Sequence, residues 1–197
     1  MSKLLVNEIA PKSGSTVSIT GFSDGSNIKE QLAMLCDGGT YTVPSGTYTA
    51  ENVTAVMNLT TTYADLTGSK VTYTPPSGTT SVIYEFWWHT AGVDNYPLSN
   101  NKLFIDGTEV TAARTSIGGT YADLQCTFKW VIPIGGSASA ATGRQATWTS
   151  PKELKLQARE QGASNTMKYH KTQSFEGSNS ASNQIVLTPV LIITSIG

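Results

Sequence analysis

Histidine, cysteine and net charge are all scarce in this chain, and each scarcity removes a class of function. Two histidines in 197 residues, His89 and His170, leave little from which to build a Ser-His-Asp triad or a metal cluster, and no G-x-S-x-G turn is present to expose a nucleophilic serine. Cys36 and Cys126 stand far apart and outside any C-x-x-C context, which argues against a zinc ribbon or a disulfide framework and leaves two buried thiols as the expectation. Charged residues make up 14% of the chain, against roughly a quarter in ordinary soluble domains. Thirteen Lys and Arg nearly balance fourteen Asp and Glu, so no basic surface for nucleic acid or an anionic membrane is expected. No apolar run approaches the ~20 residues of a membrane span. The opening MSKLLVNEIAPK has too short an apolar stretch for a signal peptide, so synthesis in a cytoplasm is expected.

What remains is rich in Gly, Ser and Thr, a bias that suits strands and turns. From Thr40 onward, strand-like runs such as TYTV, KVTYTP, VIYEFWW, KLFI, LQCTFKWVIPI, KELKLQARE and QIVLTPVLIITSIG alternate with Pro, Gly, Ser and Asn. That spacing predicts an antiparallel β-sandwich of jelly-roll type. In KLFIDGTEV, Asp106-Gly107 between two apolar runs is a strong short hairpin signal.

The stretch SVIYEFWWHTA carries four aromatics and a histidine between Tyr84 and His89. Strand geometry puts Val82, Tyr84, Phe86 and Trp88 on one face, and Ile83, Glu85, Trp87 and His89 on the other. The first face is fully apolar and reads as core. The second is too apolar for one that meets only water, and implies a partner. The final run LTPVLIITSIG is apolar on both faces and reads as a central strand covered on both sides.

The first 39 residues read differently. Leu4, Val6 and Ile9, then Val17 and Ile19, suggest two short strands with nothing of their own to pair with. In GFSDGSNIKEQLAMLCDGGT, Asn27 and Glu30 have capping-box spacing, and Ile28, Leu32 and Leu35 recur at helical intervals, predicting a short amphipathic helix. The expected organisation is an anchor over residues 1–39 and a β-sandwich over 40–197. The anchor contacts are assigned to Leu4, Val6, Ile9, Val17 and Ile19, and a subunit interface to Leu32, Leu35, Ile83, Trp87 and Ile193.

Residues able to carry chemistry are few. His170, in KYHKT, reads as part of a solvated strand face, and the fourteen acids are scattered, most of them beside glycines or in turns. No phosphate-cradling or dinucleotide-binding glycine pattern is present. Trp87, Trp88, Tyr96, Trp130, Trp148 and Tyr169 are aromatics able to stack on sugar rings, although core or interface positions explain them more simply. The loops at 92–101 and 174–183 are the expected points of contact with a host glycan. The reading is of a non-enzymatic chain with no cofactor and no metal.

The blocks MSKLLVNEI, SKVTYTPPSGTTSVIYEF, LFIDGTEVTAART, FKWVIPIGGSASAATGRQATWTSPKELKLQARE and LTPVLIITSIG together resemble the appendage proteins of marine and cyanobacterial tailed phages, the tail-fibre-like, collar and head-fibre proteins. The resemblance implies a homotrimeric structural component of the virion, assembled in the host cytoplasm. Its N-terminus would be anchored to capsid, portal, adaptor or tail, and its C-terminal β domain exposed towards host-surface glycans. A capsid decoration or cement protein and a stand-alone carbohydrate-binding module are the alternatives.

Overall fold

A computed structural model describes residues 27–92, 97–118, 123–172 and 185–197. Its strands, in chain order, are β1 (Ile28–Leu35), β2 (Thr40–Val43), β3 (Gly46–Thr49), β4 (Met57–Asn58), β5 (Ala64–Asp65), β6 (Val71–Tyr73), β7 (Ser81–Gly92) and β8 (Leu98–Ile105). They continue with β9 (Thr108–Gly118), β10 (Asp123–Pro133), β11 (Lys152–Glu160), β12 (Met167–Tyr169), β13 (Lys171–Thr172), β14 (Ile185–Val186) and β15 (Val190–Ile196).

Two antiparallel sheets form the sandwich. In the first, β7 pairs with β10 along one edge and with β15 and then β12 along the other, while β1 lies outside β15 and β4 outside β12. In the second, the order runs β9, β8, β11, with β6 and β5 sharing the far edge of β11. Most consecutive strands therefore change sheet, which makes the sandwich jelly-roll-like. The β8–β9 hairpin is an exception. Its Asp106-Gly107 turn has φ of 47° and 73°, both positive as a type I′ turn requires.

The core lies where alternate side chains of the two sheets meet. Val82, Tyr84, Phe86 and Trp88 of β7 are buried with Leu103 and Ile105 of β8 and Leu154 and Leu156 of β11 in one cluster. Cys36 and Cys126 are free and buried in the same cluster. Burial pushes their thiols up to about 12 and about 11, which keeps both unreactive at neutral pH.

The helix expected over Ile28–Leu35 is a strand. Glu30, Leu32 and Met34 point inward, while Ile28 and Leu35 are exposed; the period is two, and the apparent helical spacing joins residues on opposite faces. A helix this short gains too little from its own hydrogen bonds, whereas as β1 the segment forms a ladder with β15 from Ile28↔Ile196 to Leu35↔Val190. Glu30 caps no helix. It lies buried and accepts hydrogen bonds from Ser45 N (2.8 Å), Ser45 Oγ (2.6 Å) and Tyr73 Oη (2.7 Å). Tyr73 Oη also meets Ser195 Oγ at 2.8 Å. Burial, together with Glu30, raises the Tyr73 pKa, so the phenol remains a donor. The sandwich consequently begins before residue 40, and the anchor assigned to 1–39 loses β1 to it. The anchor residues Leu4, Val6, Ile9, Val17 and Ile19 lie outside the described residues.

Replacing Glu30 with Ala leaves the Tyr73 and Ser45 donors buried without their acceptor. A loss of about 2–4 kcal/mol in unfolding free energy is expected, read as a lower urea midpoint at unchanged slope. A loss below half a kcal/mol would mean that this junction contributes little.

Candidate assembly face

The outer face of the first sheet is the most distinctive surface among the described residues. Partners directly opposite in an antiparallel pair share a face, so the registers define three rows across β1, β15, β7 and β10. These rows are Leu35–Val190–Trp87–Thr127, Ala33–Ile192–Glu85–Lys129 and Gln31–Thr194–Ile83–Val131. Apolar side chains dominate, and several are open to solvent: Leu35 is 44%, Trp87 39% and Val131 49% exposed.

The polar groups on this face are tied to one another. Glu85 pairs with Lys129 at 3.0 Å and accepts from the Trp87 indole nitrogen, while Gln31 donates to Thr194 Oγ1 at 3.1 Å. The Glu85 carboxylate thus has both Lys129 and the tryptophan indole as partners within the face.

Of the five residues assigned to a subunit interface, Leu35, Ile83 and Trp87 stand on this face. Leu32 and Ile193 do not. They sit opposite each other in the β1–β15 ladder, both 0% exposed inside the chain's own core, with no surface left for a neighbour. Val131, Val190 and Ile192 belong to the face and were not singled out by sequence. Val131 was within reach, because Phe128, Trp130 and Ile132 alternate against Lys129 and Val131 in FKWVI.

The other chemistry-bearing side chains are dispersed. No three His, Cys, Asp or Glu side chains converge on a point that could hold a metal ion among the described residues. Trp88, Trp148 and Tyr169 are core residues, Trp130 is half-buried, and Tyr96 lies outside the described residues.

His170 contradicts its expected solvated position. It is fully buried between β12 and β13 with φ of 61°, and its ring meets Phe86 edge-on with centroids 6.5 Å apart. The chain bends here, so strict alternation fails. The backbone N–H of His170 donates to His89 O (2.7 Å), and its carbonyl accepts from Leu187 N (3.0 Å).

Burial holds the imidazole down at about 4 from an ordinary 6.5, and neither ring nitrogen has a hydrogen-bond partner within reach. Because the folded-state value is the lower one, the stabilising contribution is complete above about pH 6.5 and is lost as pH falls towards about 4. The whole loss is about 3 kcal/mol. Urea unfolding at pH 7 and pH 4.5 is expected to show most of it. His170→Asn, which tolerates the same backbone conformation, is expected to flatten that dependence, and an unchanged pH slope would assign the loss to other groups.

No family model matches the chain, and no curated protein matches it in sequence. Among solved structures, a sugar-binding protein, the EclA C-terminal domain, is 15% identical with a TM-score of 0.35, covering 64% of this chain and 83% of that one. A structure of infectious bursal disease virus, Gx strain, is 15% identical with a TM-score of 0.29, and this chain spans 41% of its length while 79% of this chain is covered. The VP2 protein of the same virus, in derived T=1 particles, is 14% identical with a TM-score of 0.25, covering 81% of this chain and 41% of that one. Likeness at this level carries nothing about function.

Proposed function

We propose that this protein is a structural component of a tailed-phage virion, a short trimeric fibre or spike on tail, collar or head. Three copies of the sandwich pack through the outer face of β1, β15, β7 and β10, and the N-terminal segment anchors the assembly to the particle. The chain is not an enzyme in this reading. The β domain is the exposed part and is available to the host surface.

The observation that carries the reading is the apolar outer face itself. A sheet face that meets only water ordinarily alternates to polar residues, whereas here Leu35, Val190, Trp87, Ile83 and Val131 stand across four hydrogen-bonded strands. Surface of this kind marks protein contact. Closed rotational symmetry covers it in every copy and leaves nothing exposed to propagate. The Glu85–Lys129 pair supports the same use, since both charges are matched before contact and neither needs a counter-ion from the neighbour.

Light scattering behind size exclusion is expected to give about three times 20.9 kDa. Trp87→Glu places a second carboxylate beside Glu85 at the centre of the face and is expected to reduce the mass to one chain that still shows the circular dichroism of a folded β-sandwich, because Trp87 lies outside the core; the unfolding midpoint falls only by what assembly contributed. A monomeric wild-type protein would remove the trimer and favour a decoration protein ordered on its capsid. A trimer unaffected by Trp87→Glu would place the contact on another surface.

A further inference from the structure

The loop that follows β10 carries an arginine with no acid to match it. Residues 134–145 fold back on themselves through hydrogen bonds from Gly135 N to Gln145 O (2.8 Å), Ser139 N to Arg144 O (3.0 Å) and Gln145 N to Pro133 O (3.0 Å). The folded loop is fastened to β9 by Ala112 N donating to Ala141 O (2.9 Å), and to β10 by the Trp130 indole donating to Thr142 O (3.0 Å). Gly143 fits the loop closely against the sandwich: its φ is 78°, and a Cβ there would come within 3.1 Å of Ile105 and 3.2 Å of Val110. Arg144 is therefore held on a fixed turn rather than on a free arm, and its Nη1 donates to Gly135 O at 3.2 Å.

Between this loop and the β8–β9 hairpin lies a cavity of about 200 Å³. On the loop side, Ala138, Ser139 and Ala140 are too small to fill it. Three charged residues line it: Asp106, Arg144 and Lys152. Both oxygens of the Asp106 carboxylate are engaged, Oδ2 by Lys152 Nζ (3.2 Å) and Oδ1 by the Glu153 N–H (2.9 Å). Lys152 is thus matched within the wall. Arg144 is not: among the described residues its guanidinium makes one hydrogen bond, to a carbonyl, and no ion pair. The lining therefore carries one net positive charge, two cations against one carboxylate.

We propose that this cavity binds a singly charged oxyanion, a carboxylate or a sulfate monoester. A guanidinium with one hydrogen bond made has N–H groups left for two oxygens of such a group at once. The Ser139 and Thr108 hydroxyls, both on the lining, are further donors for its remaining lone pairs. The charge balance favours one negative charge over two, since a dianion would set its excess charge beside Asp106. An apolar ligand would take the half-buried Arg144 out of water with no counter-charge. Volume limits what enters: the cavity is smaller than the roughly 300–1,000 Å³ of sites that enclose a drug-sized molecule, so the acidic group is held and the rest of its molecule stays in solvent. Because the loop is hydrogen-bonded to itself and to β9 beforehand, binding needs little further ordering. None of the lining residues belongs to the outer face of β1, β15, β7 and β10, and the site does not depend on the oligomeric state.

The test is an ¹⁵N-detected titration of the full chain with the sodium salts of methyl glucuronide and methyl sulfate, at millimolar concentrations and constant ionic strength. Methyl glucoside, which lacks the carboxylate of the glucuronide, is the uncharged control. Saturable shifts of the Gly135, Ser139 and Gly143 amides and of the Arg144 Nε–H signal are expected with at least one of the two anions, and none with the glucoside; the two anions separate a carboxylate from a sulfate ester as the preferred group. Arg144→Gln removes the unmatched charge and is expected to weaken binding about tenfold. Asp106→Asn tolerates the same turn conformation, raises the net charge of the lining and is expected to tighten binding about threefold. A variant that merely disturbed the fold would not gain affinity. No saturable shift with either anion, equal shifts with the glucoside, or binding undiminished in Arg144→Gln overturns the proposal. Binding no tighter in Asp106→Asn than in the wild type would overturn it as well, because the charge of the lining would then not be what holds the anion.

Discussion

β7 is hydrogen-bonded along both edges, to β10 on one side and to β15 and β12 on the other, and the remainder of the sandwich takes its orientation from it. Because strand side chains alternate, fixing the register at β7 decides for each neighbour which residues are core and which are surface. Cys126, Phe128 and Ile132 are buried because they stand opposite Trp88, Phe86 and Val82; Leu191 and Ile193 are buried because they stand opposite Phe86 and Tyr84. The same alternation brings Ile83, Glu85 and Trp87 outward. One strand thus specifies both the interior and the candidate assembly face, with no residue serving both.

The two sides of the sandwich are finished differently. On the side of β1, the gap between the sheets is closed by a polar junction in which Glu30, Ser45, Tyr73 and Ser195 join β1, the β2–β3 turn, β6 and β15. Buried polar groups are tolerated when each finds a partner, and here several donors converge on one carboxyl group. On the side of β9 and β10 no such junction forms among the described residues. The loop after β10 crosses only part of the gap, with Ala112 N donating to Ala141 O and the Trp130 indole donating to Thr142 O. The contrast within one molecule argues that the open side is left so by residue choice, small on β9 and aromatic on β10.

The strands from Thr40 onward were legible because their signals are local. Alternation in SVIYEFWW, the Asp-Gly turn at Asp106 and the two apolar faces of the last strand need no knowledge of what lies across the core. β1 was misread because IKEQLAML fits two periods, and the choice is made by Ile192, Ile193 and their neighbours, some 160 residues away in sequence, which offer a ladder that a short helix cannot match. Leu32 was misplaced for the same reason, because an interface was inferred for a helix that does not form; Ile193 was misplaced because a strand apolar on both faces does not by itself say which face the chain's own core covers. His170 was misread because alternation holds only while a strand is straight, and the positive φ at that residue turns its ring inward. The assembly face was half legible, since a face is the sum of four strands and Trp87 announces only one of them.

β10 stands between the outer face and a second cavity, beside β9. Its odd-numbered residues Lys129 and Val131 belong to the outer face, and its even-numbered residues Phe128 and Trp130 to the cavity. A slip of one residue against β7 would exchange the two sets, turning Trp130 outward and Lys129 inward and destroying both surfaces together. An edge strand is ordinarily where such a slip is easiest, because it is held on one side only. Here the eleven-residue ladder from Asp123↔Ala91 to Pro133↔Ser81 holds it, reinforced by the Glu85–Lys129 pair at its middle. That ion pair is weak as an isolated contribution to stability, but in the slipped register Lys129 would face the core without its partner. Its physical role is therefore to penalise the wrong register, which keeps the contact face and the cavity correctly assigned to opposite sides of one strand.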